Sequence, residues 1–344
     1  MRGVLYPGDS TVELGDFPIP QPGPGQVLVR MRASGICGSE LHFIYQVSRE
    51  AKRRSAMDGI IPGHEPCGQV EALGSNVVGL QPGDRVIIYH ISGCGQCKYC
   101  RAGWMLHCQV HKRTYGVDIN GGHADYILVE ARNCVKLPAA LSYADGAHCA
   151  CGGGTAYQAL RRLEISGRDR LAVFGLGPVG LGGVILAKAL GATVYATDIL
   201  PERVELARRL GADVAFVANE VEVVPYLREL TGGEGMEAAI DFSASPIARN
   251  QALDCVGIWG RVAFVGEGNK TTFEPSPQML HRQLTVIGSW VCGLWQLEEL
   301  AGWMARRNLS FEPMITHRYP LSEISQAIGT FAEGHTGKVM IVWD

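Results

Sequence analysis

Long apolar runs are missing from this chain of 344 residues: no stretch of about 18 or more apolar residues occurs, so nothing in it reaches the length of a membrane-spanning helix. The amino terminus, "MRGVLYPGDSTVEL", has no apolar segment followed by a small-residue cleavage site, and a cytoplasmic protein is expected. A broad basic face is also missing. Lys plus Arg number 31 against 34 Asp plus Glu, a net charge of -3, and the only dense basic cluster is "REAKRR", Arg49 to Arg54. No nucleic acid and no membrane is therefore expected as a partner. Internal repeats and low-complexity linkers are absent, which excludes solenoids and coiled rods. Charged residues make up only 19% against 47% hydrophobic, a balance that suits a packed globular enzyme and not a disordered chain.

The length exceeds what one core usually supports, so two domains are expected. Residues 1 to about 150 are broken by Gly and Pro into short apolar runs such as "GQVLVRMRASGI" and "DRVIIYHI", the texture of many short strands. From about 155 the texture changes. "RLAVFGLGPVGLGGVILAKALGATVYATDILPERVELARRLGADVAFVA" alternates strand-length apolar runs with helical patterns, which implies βαβ units and a doubly wound parallel sheet. Two helical patterns and a last strand, "KVMIVW", follow position 293.

Eleven cysteines in a reducing compartment point to metal ligands or reactive thiols before disulfides. In "CGQCKYCRAGWMLHC", Cys94, Cys97, Cys100 and Cys108 stand two, two and seven residues apart. Four thiolates at short spacing close a tetrahedral zinc shell, whereas a bacterial iron–sulfur cluster uses a different spacing ending in Pro. A shell filled by protein leaves no position for substrate, so this zinc is read as structural. Other candidates for metal and proton chemistry are Cys37, Ser39 and His42 in "GICGSELH", His64 and Glu65 in "PGHEPCG", and His148, Cys149 and Cys151 in "AHCACGGG". Two cysteines and one histidine form a ligand set that leaves a catalytic zinc one open position. The remaining cysteines, Cys67, Cys134, Cys255 and Cys292, sit in apolar contexts and are expected in the core.

"LAVFGLGPVGLGG" carries Gly175, Gly177 and Gly180, with Pro178 and Val179 between the last two, after a strand and at the mouth of a helix. Glycines there allow a tight turn, close approach of a pyrophosphate and close helix packing. The next strand, "TVYATD", ends in Asp198. A carboxylate there accepts hydrogen bonds from the adenosine ribose and repels a 2′-phosphate, which favours NAD over NADP. Arg203, five residues on, is placed near the adenine or on a solvated helix face.

In this order the motifs resemble the zinc-dependent medium-chain dehydrogenase/reductase family of alcohol, threonine and polyol dehydrogenases, from "GQVLVRMRASGICGSELH" to "HTGKVMIV". The resemblance implies an α/β architecture: a GroES-like, β-rich catalytic domain over 1-152 and 294-344, and a Rossmann NAD-binding domain over 153-293. It implies two zinc ions per chain, one catalytic on Cys37, His64 and Cys151 with Glu65 beside it, one structural on Cys94, Cys97, Cys100 and Cys108. Ser39 and His42 become the proton relay from a zinc-polarised hydroxyl, and hydride passes between the substrate carbon and NAD. The implied reaction is reversible oxidation of a secondary alcohol, polyol or amino alcohol to a carbonyl, in a homodimer or homotetramer. Alternatives are a physiological carbonyl reductase and a noncatalytic, zinc-deficient relative that binds or senses redox state. Departures from the family pattern are Glu40 in place of Asp, Gly38 in place of Arg or His, and His123 in place of an aromatic. Cys151 is itself alcohol-dehydrogenase-like, since sorbitol dehydrogenases place Glu there. The basic segment between Phe43 and Ile61 is expected either to border the substrate entrance, favouring a polar or acidic alcohol, or to be a plain exposed loop.

Overall fold

The run Gln26–Gly35 becomes the central strand of a seven-stranded sheet because one face, Val27, Val29, Met31 and Ala33, is apolar and wholly buried, and Leu28 and Ser34 are buried on the other. One of its edges is divided. Gln26 to Arg30 pair with the strand Tyr126–Glu130, and Ala33 to Gly35 pair with Lys338–Val342, both antiparallel. Pro66–Leu73 runs along the other edge, followed outward by Arg85–Ile88 and Cys134–Lys136. This division sets the carboxyl end of the central strand, just before Cys37, beside the first residues of Lys338–Val342. The computed structural model describes residues 1–55 and 57–344, with Ala56 outside the described residues.

The chain forms two compact units: Met1–Gly154 with Cys292–Gly334 and Lys338–Asp344, and Thr155–Val291 with His335–Gly337. In the first, one core gathers Val4, Tyr6, Ile36, Leu41 and Ile44 with the helix Ile324–Ala332 and the last strand. A second core lies along the central strand, with Val27, Val29, Met31, Val86 and Ile127. The helix Tyr143–His148 starts with a reciprocal cap, in which Asp145 N donates to Ser142 Oγ and Ser142 N to Asp145 Oδ2, each at 3.0 Å. The other oxygen of this buried carboxylate accepts from Ser310 Oγ at 2.8 Å and from Phe311 N at 2.6 Å. Asp145→Ala strands all these donors, and chemical denaturation should show a loss of about 2–4 kcal/mol.

The second unit is a six-stranded, all-parallel sheet in the order Val214–Val217, Thr193–Asp198, Arg170–Phe174, Met236–Asp241, Val256–Phe264, Thr285–Gly288. Counted in sequence this is 3-2-1-4-5-6, the Rossmann order, with its switch point between Arg170–Phe174 and Met236–Asp241. The strands read as continuous apolar runs because helices such as Pro178–Ala189 cover them. Thr285–Gly288 is an edge strand, and on the neighbouring strand Ile258 and Trp259 are 67% and 71% exposed.

Among the described residues no helix is long and apolar enough to cross a membrane.

Candidate zinc centres and dinucleotide site

The four-cysteine lobe is built by local turns. Gly95 turns the chain with φ +77°, Cys97 caps the short helix Lys98–Arg101, and a tight turn returns Cys108. The sulfurs of Cys94 and Cys100 are 3.9 Å apart, those of Cys97 and Cys100 3.5 Å, and those of Cys97 and Cys108 4.0 Å. Four thiolates on a tetrahedral zinc, with Zn–S near 2.3 Å, stand about 3.8 Å apart. Disulfide sulfurs would be about 2 Å apart, and all these thiols are free. Backbone amides already favour thiolates: Cys94 N and His111 N each reach Cys108 Sγ at 3.3 Å. Burial pushes the Cys108 thiol up, but those bonds with one from Val110 pull it down to about 6. The lobe is fastened to the helix Leu294–Arg307 through Leu294 N to Gly103 O at 2.8 Å and an edge contact of Trp104 with Trp295.

The second group joins segments far apart in sequence. Cys37 ends the turn after the central strand and caps the short helix Gly38–Glu40, His64 and Glu65 precede the strand Pro66–Leu73, and Cys151 lies within a π-helical turn, Cys149–Gly153. One ligand atom from each of Cys37, His64, Glu65 and Cys151 lies within 4.8 Å of all the others. Such wide helical turns recur at functional sites, and here the turn sets the Cys151 sulfur apart from its neighbours. Cys149 Sγ instead packs on Met304 Sδ at 3.6 Å, and His148 packs edge-on against Phe311. Neither joins the donor group. A hydrogen bond from Cys151 and the charge of His64 hold the Cys37 thiol well below its ordinary range, while burial opposes them. Sulfur and imidazole donors at this spacing fit zinc.

Glu65 also faces a buried lysine. Its Oε2 lies 2.5 Å from Lys338 Nζ, and both side chains are almost wholly buried. The ammonium also donates to Ile36 O at 2.8 Å. Burial pushes the Glu65 carboxyl up to about 7, against the pull of Lys338. The contact requires Gly35, where a Cβ would stand 2.1 Å from Glu65 Oε2. Cys37, His64 and Cys151 thus bring two sulfurs and an imidazole together, with the Glu65 carboxylate beside them. Ser39 Oγ borders this group, 3.4 Å from both Cys37 Sγ and His64 Nε2. His42 follows one turn later in the π-helical stretch Leu41–Tyr45, exposed, with Nδ1 3.0 Å from Gln46 Oε1.

Lys338 and His90 did not stand out in the sequence. The only trace of Lys338 is a lysine opening an all-apolar strand, "KVMIV", where a buried charge needs a partner. His90 sits amid "VIIYHI" and is buried; burial lowers it to about 3, and its Nδ1 is 2.8 Å from Ala150 O, so that nitrogen carries the proton. Its ring meets the His64 ring edge-on at 5.4 Å. The basic segment is largely committed within the first unit. Arg49 donates to Thr11 Oγ1 at 3.3 Å, and Arg54 pairs with Glu50 at 2.7 Å.

In the second unit Gly175 turns with φ +88°, and a Cβ there would stand 2.8 Å from Ser243. A Cβ at Gly180 would stand 1.9 Å from Gly175 O, so helix and loop touch only because residue 180 is glycine. Gly177 caps the helix that starts with Pro178 and Val179, and a Cβ on it would meet only Arg203 Nη1, at 3.9 Å. Asp198 Oδ2 accepts from Leu176 N at 2.6 Å and Oδ1 from Leu200 N at 3.0 Å, which fixes the carboxylate against the glycine loop. Arg203 Nη1 is 3.9 Å from Asp198 Oδ2, and its Nε donates to Thr336 O at 3.4 Å. Arg203 therefore lies beside the loop, not on an open helix face.

Two family models match. Residues 23–139 match the alcohol dehydrogenase GroES-like domain, and residues 178–306 match the zinc-binding dehydrogenase model. The chain is 43% identical to the uncharacterized zinc-type alcohol dehydrogenase-like protein YphC of Escherichia coli K12, over 99% of this chain and 98% of that one. The chain belongs to the zinc-dependent medium-chain dehydrogenase family. It is 34% identical to the L-threonine 3-dehydrogenase of Pyrococcus horikoshii, over 96% of this chain and 94% of that one. Among solved structures, the alcohol dehydrogenase TADH of Thermus sp. ATN1 superposes with a TM-score of 0.91 at 30% identity, covering 99% of both chains. The zinc-dependent medium-chain dehydrogenases thus supply the fold, GroES-like plus Rossmann, and a dehydrogenase role.

Proposed function

We propose that the protein is a zinc- and NAD-dependent dehydrogenase that interconverts a secondary alcohol, polyol or amino alcohol with its carbonyl compound. The observation that carries this is the Cys37, His64, Cys151 donor set with the Ser39 hydroxyl 3.4 Å from two of its members. A zinc ion there supplies a Lewis acid for the substrate oxygen, and NAD supplies the hydride acceptor. Cys37, His64 and Cys151 would hold the metal, and Lys338 balances the charge of Glu65 beside them. Ser39 Oγ, 3.4 Å from Cys37 Sγ and His64 Nε2, takes the hydroxyl proton, and the exposed His42 passes protons to water. The four-cysteine zinc orders its lobe and takes no part in the chemistry.

Asp198 and the glycine loop bind NAD. Asp198 keeps lone pairs for ribose hydroxyls after its two backbone bonds, and Arg203 beside Gly177 offers positive charge toward the pyrophosphate. Gly177→Ala puts a methyl group where the pyrophosphate approaches, and within the chain it meets only Arg203 Nη1, at an ordinary contact distance of 3.9 Å. It should raise the Kd of NAD about tenfold or more with an unchanged melting temperature, read by fluorescence titration and calorimetry. The likeness to an L-threonine 3-dehydrogenase supports including β-hydroxy amino acids in the substrate panel. NAD reduction across secondary alcohols, polyols and hydroxy-amino acids tests the reading, and a zinc-loaded protein inert on all three classes in both directions would end it.

The edge strand Thr285–Gly288 and exposed Ile258 and Trp259 suit pairing with a second copy, so a homodimer or homotetramer is proposed. Sedimentation at working concentration should give a species of at least twice the chain mass; a strict monomer counts against it.

A further inference from the structure

Two departures from the family pattern, distant in sequence, touch in the structure. Glu40 and His123 are both fully buried, and His123 Nε2 lies 2.8 Å from Glu40 Oε1. The approach falls outside hydrogen-bond angles, so both oxygens of Glu40 and both ring nitrogens of His123 have no hydrogen-bond partner as they stand. A small rotation of either group completes the bond, and leaving these groups unpaired in the core would cost more than the rotation. Nδ1 of His64 is likewise buried without a partner, and the Glu40 charge acts on His64.

The pair sits where it can hold the metal ligands in place. Glu40 ends the short helix that Cys37 caps, so its carboxylate is anchored three residues from one ligand. On the other side, the segment Gly121 to His123 is zipped onto the segment that presents His64: Gly121 N donates to Ile61 O at 2.7 Å, Gly122 N to Gly63 O at 2.7 Å, and His123 N to Pro62 O at 3.0 Å. The His123 ring rests directly on Gly63, which has φ +98° and where a Cβ would stand 2.8 Å from His123 Nδ1. The side-chain contact between Glu40 and His123 therefore closes a loop of contacts running from Cys37 through Glu40 and His123 to Gly63 and His64.

We infer that Glu40 and His123 form a positioning pair that sets the His64 imidazole relative to the Cys37 sulfur, so that metal affinity at the Cys37, His64, Cys151 site depends on both. This rests on the proposed zinc site. Partners that orient metal ligands are worth about 10–100-fold in metal affinity, far more than an exposed polar pair contributes to folding. The contacts of the pair run to the segments that carry Cys37 and His64 and not to the four-cysteine lobe, so its loss should act on one metal site only.

The test uses the full-length protein and its Glu40→Gln, His123→Phe, double and His123→Gln variants. Two readouts serve: metal affinity by chelator competition, and the absorption of cobalt(II) substituted at the Cys37, His64, Cys151 site. Each of Glu40→Gln and His123→Phe should bind metal at that site about 10–100-fold more weakly and shift the cobalt bands, with the four-cysteine site unchanged. The double variant should be little worse than the weaker single, and His123→Gln, which keeps a side-chain N–H, should stay near the parent. If His123→Phe does not fold, Glu40→Gln, nearly the same shape, carries the comparison. Single variants with parental affinity and cobalt bands, or losses that simply add in the double, overturn the pair's role. A parent chain that holds no metal at this site overturns the functional reading and the pair's role with it.

Discussion

Cys151→Ala is expected to leave one zinc per chain where the parent holds about two, and to lower kcat/KM by about a thousandfold or more. A thousandfold is about 4 kcal/mol of transition-state stabilisation, a modest share for the loss of a Lewis acid. The fold should survive, because the Cys151 side chain is only half-buried and the four-cysteine lobe is built from its own short segment. Cys94→Ala should give the complementary result: loss of the other zinc, a loosened lobe more open to proteolysis, and retention of metal on Cys37, His64 and Cys151. Metal analysis of both variants, with limited proteolysis, separates the two roles. If Cys151→Ala keeps full metal and turnover, the site has been placed on the wrong residue.

Lys338→Met should be the most damaging single change to stability. The ammonium is fully buried and compensates the equally buried Glu65 at 2.5 Å. Removing one partner of such a pair leaves an uncompensated charge and typically costs about 3–5 kcal/mol. The ion pair as a whole need not stabilise the protein at all. The double variant Glu65→Gln with Lys338→Met should therefore recover most of the loss in denaturant titrations. If Lys338→Met alone is as stable as the parent, the buried contact is not an ion pair of consequence.

What was legible in the sequence follows the range of the physics. The four-cysteine lobe could be read from spacing because its cysteines fall within one short loop, at the closeness a tetrahedral zinc shell would need. The glycine loop could be read because strand, Gly175, Gly177, Gly180, helix and Asp198 are consecutive. The second donor group could not be read from spacing. Cys37, His64 and Cys151 meet only through the tertiary fold, so they were reached through resemblance to a family. Glu40 and His123 each stood out as a departure, but their contact is set by how Gly121 to His123 packs on Ile61 to Gly63, which no local pattern announces. Lys338 was missed because a lysine ahead of an apolar strand ordinarily reads as a solvated strand end. The π-helical turns at Leu41–Tyr45 and Cys149–Gly153 have no sequence signature either, although they carry His42 and Cys151. The return of His335–Gly337 to the second unit, where Thr336 O receives Arg203, lies in a short polar stretch that reads as a plain turn.

The most direct test of the central claim is zinc content measured alongside NAD reduction on the purified parent protein, against secondary alcohols, polyols and hydroxy-amino acids. The account predicts about two zinc per chain and turnover on one of these classes, lost when the Cys37, His64, Cys151 metal is stripped and regained on its return. One zinc per chain, held by the four cysteines, with no turnover on any class, would contradict it.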